Sequence, residues 1–235
     1  MKHRGIPLIS ALLACMVAGG ATIQDRADRA FSAREWASAQ ALYMLEADRT
    51  PAQARPYGRI VVAALMAGDT SCTISQIERA MAHGVPLDSV LSVVETESMT
   101  LGQGDMYAGE LHRIENSLPY LRRPVQARLL NYYTFRNDPE NIIRYSQLLL
   151  RGLPDSPRYL NSLAYGYTLA GDNAAAIATW EKTLKADPDN IEALVSLGNA
   201  LFDIDQASAL TYLRHAYSLR PSDYLLRLLN RVPKE

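Results

Sequence analysis

Between Pro157 and Asn190 the packing side chains fall three and four residues apart: Leu160, Leu163, Ala164 and Tyr167, then Ala176, Trp180 and Thr183. That spacing places each set on one face of an α-helix. Gly171 and Asp172 separate the sets. Gly171 can take the left-handed conformation that ends a helix, and Asp172 or Asn173 can cap the next one. The stretch therefore predicts a hairpin of two helices, with Ala164 and Ala176 small where the backbones approach and Trp180 directed at a neighbouring hairpin. Asp187 to Asn190 form the connector. Such a hairpin does not stand alone, because ordering costs about 1–2 kcal/mol per residue and each large buried side chain returns about 1.5–3 kcal/mol.

The same frame recurs along the chain. Downstream lie Leu194, Leu197, Gly198 and Leu201, then Ala209, Leu213 and Ala216, closing at Pro221, which answers to Pro188 of the preceding unit. Upstream, Leu129, Leu130 and Tyr133 precede an Asn137-Asp138-Pro139 turn, followed by Ile142, Ser146 and Leu149. Tyr57, Ile60, Val61 and Ala64 stand before Gly68-Asp69, with Thr73, Ile77 and Ala80 after it. Ala27, Ala30 and Phe31, then Trp36, Ala39 and Tyr43, make a first unit. The stretch from Leu87 to Arg123 has two helical segments divided at Gly102 to Asp105 but few small residues, and Ser222 is placed to cap a terminal helix. No run of alternating β-branched residues predicts a strand.

These units closely resemble the tetratricopeptide repeat, whose period is about 34 residues. The resemblance implies an all-α fold: a right-handed α-solenoid of about five to six hairpins plus a C-terminal capping helix. The units then run over about 22–53, 54–86, 87–123 (divergent), 124–156, 157–190 and 191–221, with the cap at 222–232. It also implies that the first helix of each hairpin lines a concave surface that binds a protein or peptide. Carried onto this chain, that surface presents Arg128, Asn131 and Phe135, then Arg158, Asn161 and Tyr165, then Asn199 and Phe202. The asparagines can donate to and accept from an extended backbone, while Tyr165 and Phe202 receive side chains. Some members of the family grip chaperone C-termini with a clamp of Lys and Asn. Here Asn161 stands at the clamp's first Lys and Tyr165 at its first Asn, so that ligand is not implied.

The N-terminus reads differently from the body. Lys2, His3 and Arg4 precede an apolar run from Ile6 to Val17 and the small residues Ala18 to Ala21, the order of a secretory signal over residues 1–21. Three forms remain open: cleavage after Ala21, lipidation of Cys15 in the lipobox-like Leu12-Leu13-Ala14-Cys15, and an uncleaved anchor over Gly5 to Ile23, which approaches the ~20 apolar residues of a membrane span. All three export the body, to the periplasm or to a membrane surface of the cell envelope.

Composition removes other classes. Lys+Arg 24 against Asp+Glu 25 gives a net charge of -1, so no basic field recommends nucleic acid, and the 13 tyrosines lack a basic groove to accompany them. The two cysteines, Cys15 and Cys72, are not read as a disulfide, since one lies in the targeting segment. No HExxH, phosphate-binding glycine loop, GxSxG or CxxC is present. Glu110, His112 and Glu115 come nearest to a metal-dependent enzyme site, short of the four ligands a structural site needs. Glu95 and Glu97, two apart on a helix, point away from each other. The expectation is a non-catalytic scaffold or adaptor of a bacterial cell envelope, with a protein or peptide partner and neither metal nor cofactor. Its alternatives are a lipid-anchored component of an outer-membrane assembly, secretion or pilus apparatus, and a metal-dependent enzyme.

Overall fold

The computed structural model describes residues 21–230, so Cys15 and all but the last residue of the expected targeting segment lie outside the described residues. Every regular element among them is helical. The helices divide into two compact units, one ending at Glu110 and one beginning at Leu111.

The first unit contains α1 (Ile23–Ser32), α2 (Trp36–Arg49), α3 (Ala54–Met66), α4 (Cys72–Ala82) and α5 (Leu87–Thr100), together with the first turns of α6 (Gly104–Ser117). Helix α1 starts with a capping box in which the Thr22 hydroxyl accepts from the Asp25 amide and the Asp25 carboxylate accepts from the Thr22 amide. Helix α3 packs along both α2 and α5, burying Tyr57, Ile60, Val61 and Ala64.

The second unit continues with a short 3-10 turn, Pro119–Leu121, then α7 (Arg122–Phe135), α8 (Pro139–Leu150), α9 (Pro157–Leu169), α10 (Asn173–Ala186), α11 (Ile191–Leu201), α12 (Gln206–Leu219) and α13 (Asp223–Leu229). Each helix from α7 to α13 packs on the next in the chain. Two clusters hold the hairpins together. Trp180 of α10, 6% exposed, packs with Ala164 and Ala176 of its own hairpin and reaches Ala193 and Leu197 of α11. Leu194, Leu213, Ala216 and Leu225 then join α11, α12 and α13. Small residues set the closest approaches: a Cβ on Gly198 would lie 2.5 Å from Leu213, and one on Gly166 would lie 2.9 Å from both Ile142 and Ile143.

A single backbone device marks the hairpins. Arg34, Gly68, Gly102, Asn137 and Gly171 all have positive φ and recur at nearly the repeat period. After each, an amide reaches back to the carbonyl five residues earlier: Glu35 to Ala30, Asp69 to Ala64, Gln103 to Ser98, Asp138 to Tyr133 and Asp172 to Tyr167, at 2.7 to 3.0 Å. This is the Schellman closure of a helix C-terminus. Glycine meets the requirement at three of the five positions; Arg34 and Asn137 adopt the left-handed region with a side chain. The last hairpin departs, turning at Phe202 to Asp205, where the amides of Ile204 and Asp205 both bond to Leu201. Asp138, Asp172 and Asp205 then cap α8, α10 and α12. The stretch from Leu87 to Ser117, poor in small residues, keeps the same turn through Gly102.

A polar network lies inside the first unit. Asp28 of α1 accepts from the Tyr43 hydroxyl of α2 at 2.6 Å and from Arg55 and Arg59 of α3 at 2.7 and 2.6 Å. Arg59 also donates to the Tyr43 hydroxyl and to Glu97 of α5, and its guanidinium lies 4.9 Å from the centre of the Phe31 ring. Burial works to raise the Asp28 carboxyl, but Tyr43 and the two arginines outweigh it and hold it below its usual range. Glu46, beneath Arg55 and nearly buried, is pushed upward by desolvation. Among the described residues no helix is long and apolar enough to cross a membrane.

Candidate functional site

The face formed by α7, α9 and α11 carries most of the residues assigned to ligand binding, and hydrogen bonds between successive hairpins brace it. Arg158 donates to the Asn131 side chain at 3.2 Å, the Tyr165 hydroxyl donates to the Asn137 side chain at 2.5 Å, and the Asn199 amide donates to the Tyr224 hydroxyl at 3.2 Å. Holding these side chains in place before a ligand arrives lowers the entropy lost on binding.

Tyr165 and Asn199 meet at a pocket of about 460 Å³ between α9, α10 and α11. Thr168, Ser196 and Asn173 complete its polar wall, and Ala176, Ala200 and Trp180 supply its apolar surface. No side chain in the lining is a carboxylate, an ammonium or a guanidinium. The pocket suits a bulky uncharged group that presents a few hydrogen-bonding atoms. Large apolar residues stand exposed at hairpin turns of the same unit: Phe135 at 76%, Leu169 at the end of α9, and Ile204 at 72%.

The remaining assigned residues separate by burial. Arg128 and Phe202 are half-buried, Phe202 packing against the cluster that joins α11 to α13. Asn161 departs from the expected exposed position on the binding face. It is 4% exposed, and its amide nitrogen donates to Asn190 and Glu192, both at 2.9 Å. Asn190 in turn caps α11 through the Ala193 amide. Asn161 therefore secures the start of the next hairpin and does not grip a peptide backbone. No local pattern around Asn161 marks this role, because its partners Asn190 and Glu192 stand 29 and 31 residues further along the chain.

His112 and Glu115 do share a face, with Nδ1 3.6 Å from the Glu115 carboxylate, and both are also engaged by neighbouring helices. The His112 ring nitrogens lie 2.9 Å from the Tyr133 hydroxyl and 3.2 Å from the Tyr145 hydroxyl, and Glu115 accepts from Gln126 at 2.8 Å. Tyr133 and Tyr145 stack with rings 5.8 Å apart and 8° from parallel. This is a cross-brace among α6, α7 and α8. Glu95 accepts from Tyr107 and Glu97 from Arg59, so the two carboxylates serve different neighbours. Among the described residues no three His, Cys, Asp or Glu side chains are grouped to hold a metal. Burial pushes the Cys72 thiol up to about 11, so little thiolate forms near neutral pH.

No family model matches the chain, and no curated protein does. Solved structures do. The C-terminal part of a TPR repeat-containing protein from Cytophaga hutchinsonii is similar at 15% identity and TM-score 0.50, over 82% of this chain and 77% of that one. The protein has the tetratricopeptide-repeat fold. Pseudomonas aeruginosa pilF is similar at 15% identity and TM-score 0.51, over 89% of this chain and 95% of its own. Cut9, solved with Hcn1 as an APC/C hetero-tetramer, is similar at 16% identity and TM-score 0.52, over 97% of this chain and 45% of its own. In the tetratricopeptide frame, Asn131, Tyr165 and Asn199 hold the same place, each one full period from the next, on the first helices of three successive hairpins. A fold of this kind supports an interaction scaffold in general, while the particular ligand depends on the side chains of the site.

Proposed function

We propose that the protein is a non-catalytic scaffold of a bacterial cell envelope that holds a protein or peptide along the α7, α9 and α11 face. The observation that carries this reading is the uncharged pocket between Tyr165 and Asn199, set in a face already braced by inter-hairpin hydrogen bonds. The bound segment is extended and seats a bulky apolar side chain beside Trp180. Its backbone bonds to the remaining donors and acceptors of Asn199, Ser196 and Asn173. A photo-crosslinking residue introduced at Ser196 should capture the partner in intact envelopes. Tyr165→Ala with Asn199→Ala should abolish most of that capture while the melting midpoint stays within about 2 °C of the parent, the scale of a surface change. Undiminished capture by the double variant would remove the pocket from the reading.

The secretory pattern of residues 1–21 supports an envelope location, and Cys15 supports a lipid-anchored form. A component of an outer-membrane assembly, secretion or pilus apparatus is the form this reading takes if Cys15 is lipidated. In the anchored form, Cys15→Ala should move the protein from the membrane fraction to the soluble periplasmic fraction. Retention in the membrane after that substitution would exclude lipidation at Cys15 as the attachment.

A further inference from the structure

The first hairpin carries a groove of about 680 Å³ between α1 and α2, on elements separate from the pocket at Tyr165. Ala30 and Leu42 form its buried floor, and Ala33, Ala37 and Ala41 line it as exposed residues. Leu45, four residues beyond Ala41 and 44% exposed, extends the apolar line along α2. The charged residues that line the groove are Arg26, Arg29 and Glu35, two cations to one carboxylate, and Asp25 lies close enough to Arg29 to interact with it from the start of α1.

The fold's internal junctions show what such a groove receives. Helix α2 packs along α3, α8 along α9 and α10 along α11. In each case the second helix of one hairpin lies on the first helix of the next. At the α8–α9 junction Ile142 and Ile143 sit on Gly166, five residues before the left-handed Gly171. Five residues before the left-handed Arg34 stands Arg29. The first hairpin thus offers a helix-accepting surface with an arginine at the position that is bare in α9. A helix settling there has to bring apolar side chains to the alanines and a carboxylate to Arg29.

We infer that this groove is a second docking surface, whose occupant is an amphipathic α-helix of a partner protein with an apolar stripe flanked by acidic side chains. The surface is independent of the peptide pocket, and a failure of either leaves the other standing.

The test uses the full chain and two labelled helical peptides that share the apolar stripe of α10. In one, glutamates flank the stripe; in the other, lysines do. Fluorescence anisotropy should show binding of the glutamate peptide and binding of the lysine peptide weaker by about tenfold or more. Ala37→Arg, at an exposed position, should abolish binding without lowering the melting midpoint. Arg26→Glu with Arg29→Glu should reverse the preference between the peptides. Tyr165→Ala with Asn199→Ala should change neither result. Equal affinity for both peptides, binding that survives Ala37→Arg, or no binding of either peptide would overturn the inference, the last marking the face as a solvated cap. Self-association in sedimentation that Ala37→Arg abolishes would also overturn it, by assigning the groove to a second copy of the chain.

Discussion

Trp180→Ala is expected to cost about 3–5 kcal/mol of stability through the void it leaves. The indole is nearly buried among Ala164, Ala176, Ala193 and Leu197, small or branched residues that cannot move inward far enough to refill the space. Because Ala193 and Leu197 belong to α11, the loss falls on the junction between two hairpins as well as on one hairpin. Denaturant titration of the full chain should show a lower midpoint, with helicity in buffer nearly retained. Trp180→Phe should recover much of the difference, since a ring still fills part of the site. A Trp180→Ala midpoint equal to that of the parent would mean that the α10–α11 junction is not held in the way described.

The second large effect is expected at Arg59. Its guanidinium joins Asp28, Tyr43 and Glu97, and so ties α3 to α1, α2 and α5. Arg59→Ala leaves the Glu97 carboxylate, with only 19% of its side chain exposed, without its cation, and removes the stacking over Phe31. Breaking a fully buried pair costs about 3–5 kcal/mol. Partial exposure of this cluster lowers the expectation to about 2–3 kcal/mol. Arg59→Lys should recover less than half, because the three donors of an ammonium sit on one atom and cannot span Asp28 and Glu97 as the separate nitrogens of the planar fork do. Thermal melts of the two variants and the parent at equal ionic strength measure both quantities. An Arg59→Ala melt indistinguishable from the parent would reduce the network to surface decoration.

The hairpins are legible in the sequence because helical periodicity and turn chemistry are local. Leu160 to Tyr167, Gly171, Asp172 and Trp180 each act within a few residues or at a fixed offset, and the structure gives Gly171 positive φ, makes Asp172 a cap and buries Trp180. Arg34 is not legible as a turn residue. An arginine with φ of 60° has no compositional signature, and only its place in the evenly spaced series explains it. Asn161 and Arg59 show the same limit at the level of sites. On a helical wheel Asn161 belongs to an outward face, and its burial comes from Asn190 and Glu192 at the start of the following hairpin. The partners of Arg59 come from three other helices, at sequence distances that no local pattern encodes.

The evenly spaced left-handed residues also bear on how the chain reaches its structure. Each one closes a single helix pair, and most later contacts join that pair to an adjacent one. The loops that must close during folding are therefore short, and their entropic cost grows only slowly with length. Nucleation can begin at any hairpin and spread to its neighbours, so no early step requires distant parts of the chain to meet.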